Sequence, residues 1–395
     1  MKKLAVFFDG TWNRADQKTR DGIPCPTNIL KLFELLCPSD ARGNPQLANY
    51  IGGVGTRRGE RLRGGILGYG LSENIKEGYR FLASNFQPGD EIFIFGFSRG
   101  AYSARSLSGM IRNLGVLRRD RIHMINEAYR RYKSRSAEWH PDSVQAVNFR
   151  KENSWSMPVN GEERTAEPGS RETLYINFLG VFDTVGALGA PFLTPLGWLL
   201  VKLSRCDFHD TQLSSIVQNA CHALAIDEHR WPFRPTPLTP NINHIVGKNF
   251  DERWFAGAHA NIGGGYAQTG LSDLTLDWMV DKASSCVNPS GCGLSFDWHG
   301  LNPTCRNLGV LEPPAKSQNF AYRLASILLV KLPGTFGLAT KSTRTVLRCL
   351  QWSGDYHRPI HAPQKPKKGL GPNLDGSVIA KMNRSAGNYA PPNVP

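Results

Sequence analysis

The chain has 395 residues, of which 40% are hydrophobic and 20% are charged. This composition is typical of a folded globular protein and excludes the disordered and fibrous classes. The formal net charge is +14, which predicts attraction to an anionic partner such as nucleic acid, an anionic membrane surface or an acidic protein.

Short apolar runs alternate with segments of helical periodicity over the first part of the chain. We predict strands at Leu4–Phe8, Asn49–Ile51, Glu91–Phe95, Leu174–Phe182 and Arg253–Ala256. We predict helices at Asn28–Leu36, residues 71–86, Ala101–Leu114 and Leu274–Ala283. A stretch that contains His222, Ala225–Arg230 and His229 also has helical periodicity. The alternation predicts an α/β fold with a mostly parallel sheet flanked by helices, in which working residues lie at the carboxyl ends of strands.

Composition changes along the chain predict a core with inserted and appended segments. We expect the core to span residues 1–283. Within it, the polar, arginine-rich residues 115–170 are interpreted as an excursion outside the sheet, and residues 187–206 as a cap or lid. Residues 284–372 mix cysteine, proline and basic residues, which predicts a basic, partly apolar accessory region. Residues 373–395 are expected to form a C-terminal tail that packs on the core.

The cysteine content limits the disulfide and metal chemistry that is expected, and the apolar runs indicate where the protein is made. Eight cysteines are too sparse for a scaffold built on disulfides, and no pair has Cys-x-x-Cys spacing. We therefore predict no metal and no cofactor. The apolar run at Leu4–Phe8 is too short for an export signal, and Leu188–Leu203 is interrupted by prolines. The sequence predicts synthesis in the cytoplasm without a cleaved signal peptide.

The segment GFSRGA at residues 96–101 carries the strongest chemical signal. It is a Gly-x-Ser-x-Gly motif that directly follows a predicted strand and directly precedes a predicted helix. A nucleophilic serine needs such a sharp turn, and the small residues on either side let the backbone bend. The context predicts that Ser98 is a nucleophile.

A nucleophilic serine needs a base and an orienting carboxylate. Asp183 ends a predicted strand, and His259 follows the next one in the chain. The order Ser, Asp, His is the one that α/β-hydrolases use, so we predict an α/β-hydrolase-like fold with Ser98, Asp183 and His259 as its triad. Asp227 is an alternative carboxylate, although its charged neighbours favour a structural network. The alternative bases are His222 and His229.

The oxyanion hole needs two N–H donors. Arg99, the residue after the nucleophile, is the first candidate. Gly10 or Thr11 is the second, because a loop after a neighbouring strand can bring its backbone close to substrate. The same loop resembles part of the Asp-x-Asp-Gly-Thr motif of haloacid-type phosphatases. That interpretation fails because Phe7 stands where the nucleophilic aspartate would be.

Six ordered motifs resemble those of a known family. They are FDGTWN at 8–13, GGVGT at 52–56, GFSRGA at 96–101, GVFDTVG at 180–186, AIDE at 225–228 and WFAGAHANIGGGY at 254–266. Together they resemble the bacterial family that contains the first type of type VI secretion lipase effectors. The resemblance implies a Ser98–Asp183–His259 triad, phospholipase A activity and delivery to the periplasm of rival bacteria. It also implies spike or delivery proteins and an immunity protein as partners.

Two further segments are candidates for contact with a lipid substrate. Leu188–Leu203 directly follows the Asp183 loop, so Phe192, Trp198 and Leu200 are expected to line an acyl-chain pocket or to touch the bilayer. A buried cap helix is the alternative. Residues 340–368 carry seven basic residues and one acidic residue. They are expected either to dock on an anionic membrane or to form a solvated basic face.

The net charge leaves other substrates and a binding function open. The enzyme could act on another acyl ester instead of phospholipid. A non-catalytic protein that binds membrane or nucleic acid on a hydrolase scaffold is the alternative from another class. No helix-turn-helix, zinc-finger or RNA-binding signature accompanies the charge, so no nucleic acid partner is expected.

Overall fold

A computed structural model describes residues 1–55 apart from 12, 66–134, 136–157 apart from 156, 173–186, 213–239 apart from 231, 232 and 234, and 249–297 apart from 287 and 289. The predicted cap at 187–206, the tail at 373–395 and nearly all of the accessory region at 284–372 lie outside these residues.

The described residues form an α/β-hydrolase-like fold of six strands and seven α-helices. The strands are β1 Lys3–Phe8, β2 Gln46–Ile51, β3 Glu91–Phe97, β4 Ile176–Phe182, β5 Val217–Ala225 and β6 Asn249–Phe255. The helices are α1 Asn28–Leu35, α2 Ile66–Asn85, α3 Arg99–Leu114, α4 Ile125–Tyr132, α5 Val144–Asn153, α6 His259–Gly263 and α7 Gly270–Ser285. Two 3-10 helices, Arg119–Met124 and Ala137–Trp139, lie between α3 and α5.

The six strands form one all-parallel sheet in the order β2-β1-β3-β4-β5-β6. The chain first moves outward from β1 to β2, then returns past β1 to β3 and continues in the other direction. The strand order therefore reverses between β1 and β3. In open parallel sheets, ligands bind outside the carboxyl ends of the strands at such a point. The register pairs Phe8 with Gly96 and Phe97 with Phe182, so the loops after β1, β3 and β4 emerge together.

In β1 and β3, alternate residues pack into two separate hydrophobic cores on the two faces of the sheet. In β1, Leu4, Val6 and Phe8 pack with residues of α2 and α3 on one face. Ala5 and Phe7 pack on the other face, against residues of α1 and α7. Because both faces are covered, the inner strands β1, β3 and β4 are almost continuously apolar and not alternating, as is typical of parallel sheets.

The predicted polar excursion at 115–170 is described in part. Its helices α4 and α5 contribute Ile125, Ala128 and Phe149 to the core on the α2–α3 face of the sheet. In the part of the chain that the structure describes, no helix combines the length and the apolar character needed to cross a membrane.

The helix predicted around Ala225–Arg230 is wrong. Residues 217–225 form β5, which lies between β4 and β6, and the segment after it is irregular. His222 is therefore on a strand, and His229 is in the segment that follows. The alanines at 220, 223 and 225 favour a helix locally. Their burial between two strands overrides this preference, because small side chains fit a strand that is covered on both faces.

Candidate active site

Ser98 lies in a sharp turn between β3 and α3. Its backbone has φ 57° and ψ −120°, a strained conformation for a residue with a side chain. A Cβ at Gly96 would lie 2.5 Å from the Gly100 carbonyl oxygen, and a Cβ at Gly100 would lie 2.2 Å from the Phe8 carbonyl oxygen. Only glycine fits at these two positions, which gives the motif its physical basis.

The three residues predicted as a triad form one hydrogen-bonded chain. His259 Nε2 lies 2.8 Å from Ser98 Oγ, and His259 Nδ1 lies 2.5 Å from Asp183 Oδ2. All three residues are buried. Asp183 also accepts the backbone N–H of Ala225 through Oδ1 at 3.1 Å. In this arrangement the carboxylate holds the imidazole with Nε2 toward the serine hydroxyl.

The surroundings of His259 favour its neutral form. Burial lowers the pKa of its imidazole below the usual value, and the Asp183 carboxylate offsets this effect only in part. The rings of Phe97 and Phe233 pack against the imidazole, with centroids at 4.7 and 4.9 Å. A neutral imidazole can accept the serine proton, so the environment suits a general base near neutral pH.

The alternative carboxylate and one alternative base are engaged elsewhere. Asp227 Oδ2 accepts the backbone N–H of Gly257 at 2.6 Å, so this carboxylate holds the loop before His259. His222 Nε2 accepts the backbone N–H of Thr184 at 3.1 Å, and its Nδ1 lies 2.9 Å from Glu252. These contacts give both side chains a structural explanation.

The loop after β1 holds the two candidates for the second oxyanion donor, Gly10 and Thr11. The Gly10 N–H already has an acceptor, Asp9 Oδ1 at 2.6 Å. We therefore favour Thr11, and both stay predictions. Its hydroxyl Oγ1 is buried and has no hydrogen-bond partner among the described residues. Arg99 begins α3 directly after Ser98, and the first amides of a helix have no acceptor within the helix.

Asp9 is a buried carboxylate beside the site. Its Oδ2 accepts hydrogen bonds from the Tyr50 hydroxyl at 2.6 Å and the Thr27 hydroxyl at 2.8 Å. Burial raises its pKa to about 6, although these hydroxyls, the Gly10 amide and the Asn13 side chain work in the opposite direction. Asp9 directly follows the first predicted strand, but sequence patterns gave it no role, because its partners Thr27 and Tyr50 are distant in sequence.

Several predicted contacts lie outside the described residues. These are the acyl-pocket candidates Phe192, Trp198 and Leu200 and the basic segment at 340–368, which stay predictions. Among the side chains that the structure does describe, no three His, Cys, Asp or Glu residues converge as a metal site.

The fold and this site place the protein in the class of α/β-hydrolase-like proteins. Residues 2–282 match the family described as the catalytic domain of Tle1-like phospholipase effectors of the type VI secretion system. The match spans well over half of the chain, and the chain belongs to this family.

A curated relative and two solved structures are also similar to the chain. An uncharacterized protein of Saccharomyces cerevisiae is 30% identical over 276 residues, which cover 62% of this chain and 35% of the yeast protein. The chain thus spans about a third of the length of that relative. An uncharacterized protein from Pseudomonas aeruginosa matches with a TM-score of 0.40 and 14% identity, over 100% of this chain and 63% of that one. RedJ, solved with a PEG molecule bound in the active site, matches with a TM-score of 0.29 and 13% identity, over 70% and 89% of the two chains.

Proposed function

We propose that the protein is a serine hydrolase of carboxylic esters, and that it acts as a phospholipase A on bacterial membrane phospholipids. The observation that carries this proposal is the hydrogen-bonded chain from Ser98 Oγ through His259 to Asp183. The strained backbone of Ser98 adds support, because such strain persists where the fold has a use for it.

In the proposed reaction, Ser98 Oγ attacks the acyl carbonyl carbon while His259 Nε2 takes the hydroxyl proton. The Asp183 carboxylate stabilises the imidazolium that results. The backbone amides of Arg99 and Thr11 donate to the oxyanion of the tetrahedral intermediate. The intermediate collapses to an acyl-enzyme as His259 returns the proton to the leaving alcohol, a lysophospholipid. Water then attacks the acyl group by the same route and releases the fatty acid.

Phospholipid is proposed as the substrate because the family is described as phospholipase effectors. Phe192, Trp198 and Leu200 are the proposed wall of the acyl-chain pocket, and the basic segment at 340–368 is the proposed contact with an anionic membrane surface. Delivery to the periplasm of a target cell by type VI spike proteins, and neutralisation by an immunity protein, complete the proposal.

Product analysis tests this function. The purified protein and its Ser98→Ala variant are incubated with mixed bacterial phospholipids and with short-chain nitrophenyl esters, and the products are identified by mass. We expect lysophospholipid and free fatty acid from the unaltered protein and neither from the variant. Turnover of nitrophenyl esters with intact phospholipid would indicate another acyl ester as substrate. Vesicle binding with no turnover of either substrate would indicate a non-catalytic binding protein.

A further inference from the structure

Glu228 holds the backbone of the proposed catalytic histidine. Its side chain is fully buried, and its Oε2 accepts the His259 backbone N–H at 3.3 Å. The carboxylate is neutralised by Arg230, which forms a bidentate pair through Nε at 2.9 Å and Nη2 at 2.7 Å. The backbone N–H of Arg230 also donates to Glu228 Oε1 at 2.7 Å. A buried carboxylate with this many donors has a fixed position.

The Glu228–Arg230 ion pair is also linked to the His259 ring through Phe233. The Arg230 guanidinium lies over the Phe233 ring, 3.7 Å from its centroid. Phe233 in turn packs edge-on against the His259 imidazole at 4.9 Å. His259 is thus contacted at its backbone by Glu228 and at its ring by an aromatic side chain that Arg230 covers. These contacts come from the segment after β5, whereas Asp183 contacts the ring from the end of β4.

The charges around His259 come from these two segments. Asp183 and Glu228 raise the pKa of the imidazole, while Arg230 lowers it. Replacing Glu228 with a neutral isostere removes one of the raising charges, whereas the lowering charge of Arg230 remains. The pKa of His259 should therefore fall further.

We propose that Glu228 is a positioning residue of the reaction, which fixes His259 through its backbone and, by way of Arg230 and Phe233, through its ring. Nε2 is then aligned with Ser98 Oγ before substrate binds. This inference rests on the proposed hydrolase function. The preceding residue offers a matched comparison, because Asp227 holds the same loop at Gly257.

The test compares Glu228→Gln with Asp227→Asn in the full chain. The measurements are kcat and KM on a soluble nitrophenyl ester across pH, thermal unfolding, and the pKa of His259 by NMR titration of its imidazole. For Glu228→Gln we expect kcat to fall by about 10- to 100-fold with little change in KM, since misplacement of a reacting group by about 1 Å has an effect of this size. The pKa of His259, and with it the acid limb of kcat/KM, should move to lower pH.

Asp227→Asn should also lower the unfolding temperature, because it weakens the hydrogen bond to the Gly257 amide, but it should leave the pKa of His259 in place. The inference is overturned if Glu228→Gln leaves kcat and the pKa of His259 unchanged. It is also overturned if Asp227→Asn changes kcat and the pKa of His259 as much as Glu228→Gln does. If Glu228→Gln does not fold, Arg230→Lys takes its place. It keeps the charge but loses the two-pronged pair and the stacking, so kcat should fall several-fold, and full kcat would contradict the inference.

The NMR titration needs no substrate, so it separates the two proposals. A shifted pKa of His259 in a protein that hydrolyses no ester would support the contact between Glu228 and His259 and overturn the proposed function. An unshifted pKa with normal ester hydrolysis would overturn the role of Glu228 alone.

Discussion

A buried charged group lies at each end of β1, and the two differ in how well neighbouring groups neutralise their charge. At the amino end, the Lys3 ammonium lies 2.8 Å from Asp40 Oδ2 and donates to the carbonyl oxygens of Cys292 and Gly293 at 2.7 and 2.6 Å. Although burial alone would raise it, the pKa of Asp40 is held well below its usual range by Lys3 and nearby amides. At the carboxyl end, burial outweighs the donors around Asp9 and raises its pKa to about 6.

Backbone strain follows the same division. Ser98 and Asp183 are the two non-glycine residues with positive φ among those described, and both follow the carboxyl ends of strands. At the amino end of the sheet, the buried charge of Lys3 is neutralised by Asp40, and this pair stabilises the fold. At the carboxyl end, Ser98 and Asp183 have strained backbones and the Asp9 carboxylate is poorly compensated. The free energy that these groups cost must be offset by the packing of the rest of the fold. We expect substitutions of Ser98, Asp183 and His259 at the carboxyl end to affect mainly turnover, and substitutions at the amino end to affect mainly stability.

The largest expected effect is at Ser98. Ser98→Ala should lower kcat on the order of 10⁶-fold, as should His259→Ala, and the double variant should be no worse because the residues act as a unit. Unfolding temperatures should stay unchanged or rise. Ser108→Ala is the matched control on α3, the helix that follows Ser98, where the hydroxyl donates to the Ala104 carbonyl oxygen. Substantial turnover by Ser98→Ala would remove the proposed nucleophile.

Asp183→Asn comes next. It keeps the shape of the side chain but disturbs the tautomer of His259, so kcat should fall on the order of 10⁴-fold. Steady-state kinetics with Asp183→Asn and Asp227→Asn side by side check this. A larger loss of kcat in Asp227→Asn would assign the orienting carboxylate to Asp227.

The amino end should show the opposite pattern. Lys3→Met leaves the Asp40 carboxylate buried without its cation, which should lower the free energy of unfolding by roughly 3–5 kcal/mol while kcat stays the same. Lys2→Met is the control, because Lys2 forms a partly exposed pair with Asp90 and should lower stability by about 1 kcal/mol or less. Urea unfolding measures both. Equal losses of unfolding free energy in the two variants would contradict the larger contribution expected of the buried Lys3–Asp40 pair.

The smallest expected effect is a pH dependence at Asp9. Its pKa is raised from 3.8 to about 6 in the folded protein, so the folded state binds the proton more tightly than the unfolded chain. The contribution of Asp9 to stability is therefore present below pH 4 and is lost as the pH rises to about 6. Asp9→Asn should remove this component, which is at most about 3 kcal/mol for a difference of about two pKa units. Urea unfolding at pH 4 and pH 7 measures it, and an identical pH dependence in both proteins would contradict it.

The sequence predicted most of this architecture because local patterns and tertiary packing agree there. Five of the six strands were predicted, most clearly the apolar runs β1, β3 and β4, and the chain order of Ser98, Asp183 and His259 predicted the residues that the fold brings together. The strand β5 was missed because its alanines favour a helix in isolation. The hydrogen bonds of Asp9 with Thr27 and Tyr50, and the contact of Glu228 with His259, depend on partners distant in sequence that no local pattern specifies.

The most direct test of the account is covalent labelling of the serine. The 395-residue chain is treated with a fluorophosphonate probe at pH 7, and the adduct is located by peptide mass spectrometry. We expect a single adduct on Ser98, absent from Ser98→Ala and strongly reduced in His259→Ala, because the hydroxyl reacts only when His259 accepts its proton. An unlabelled protein, or an adduct that persists in Ser98→Ala, would contradict the assignment of the carboxyl end of the sheet as a serine hydrolase site.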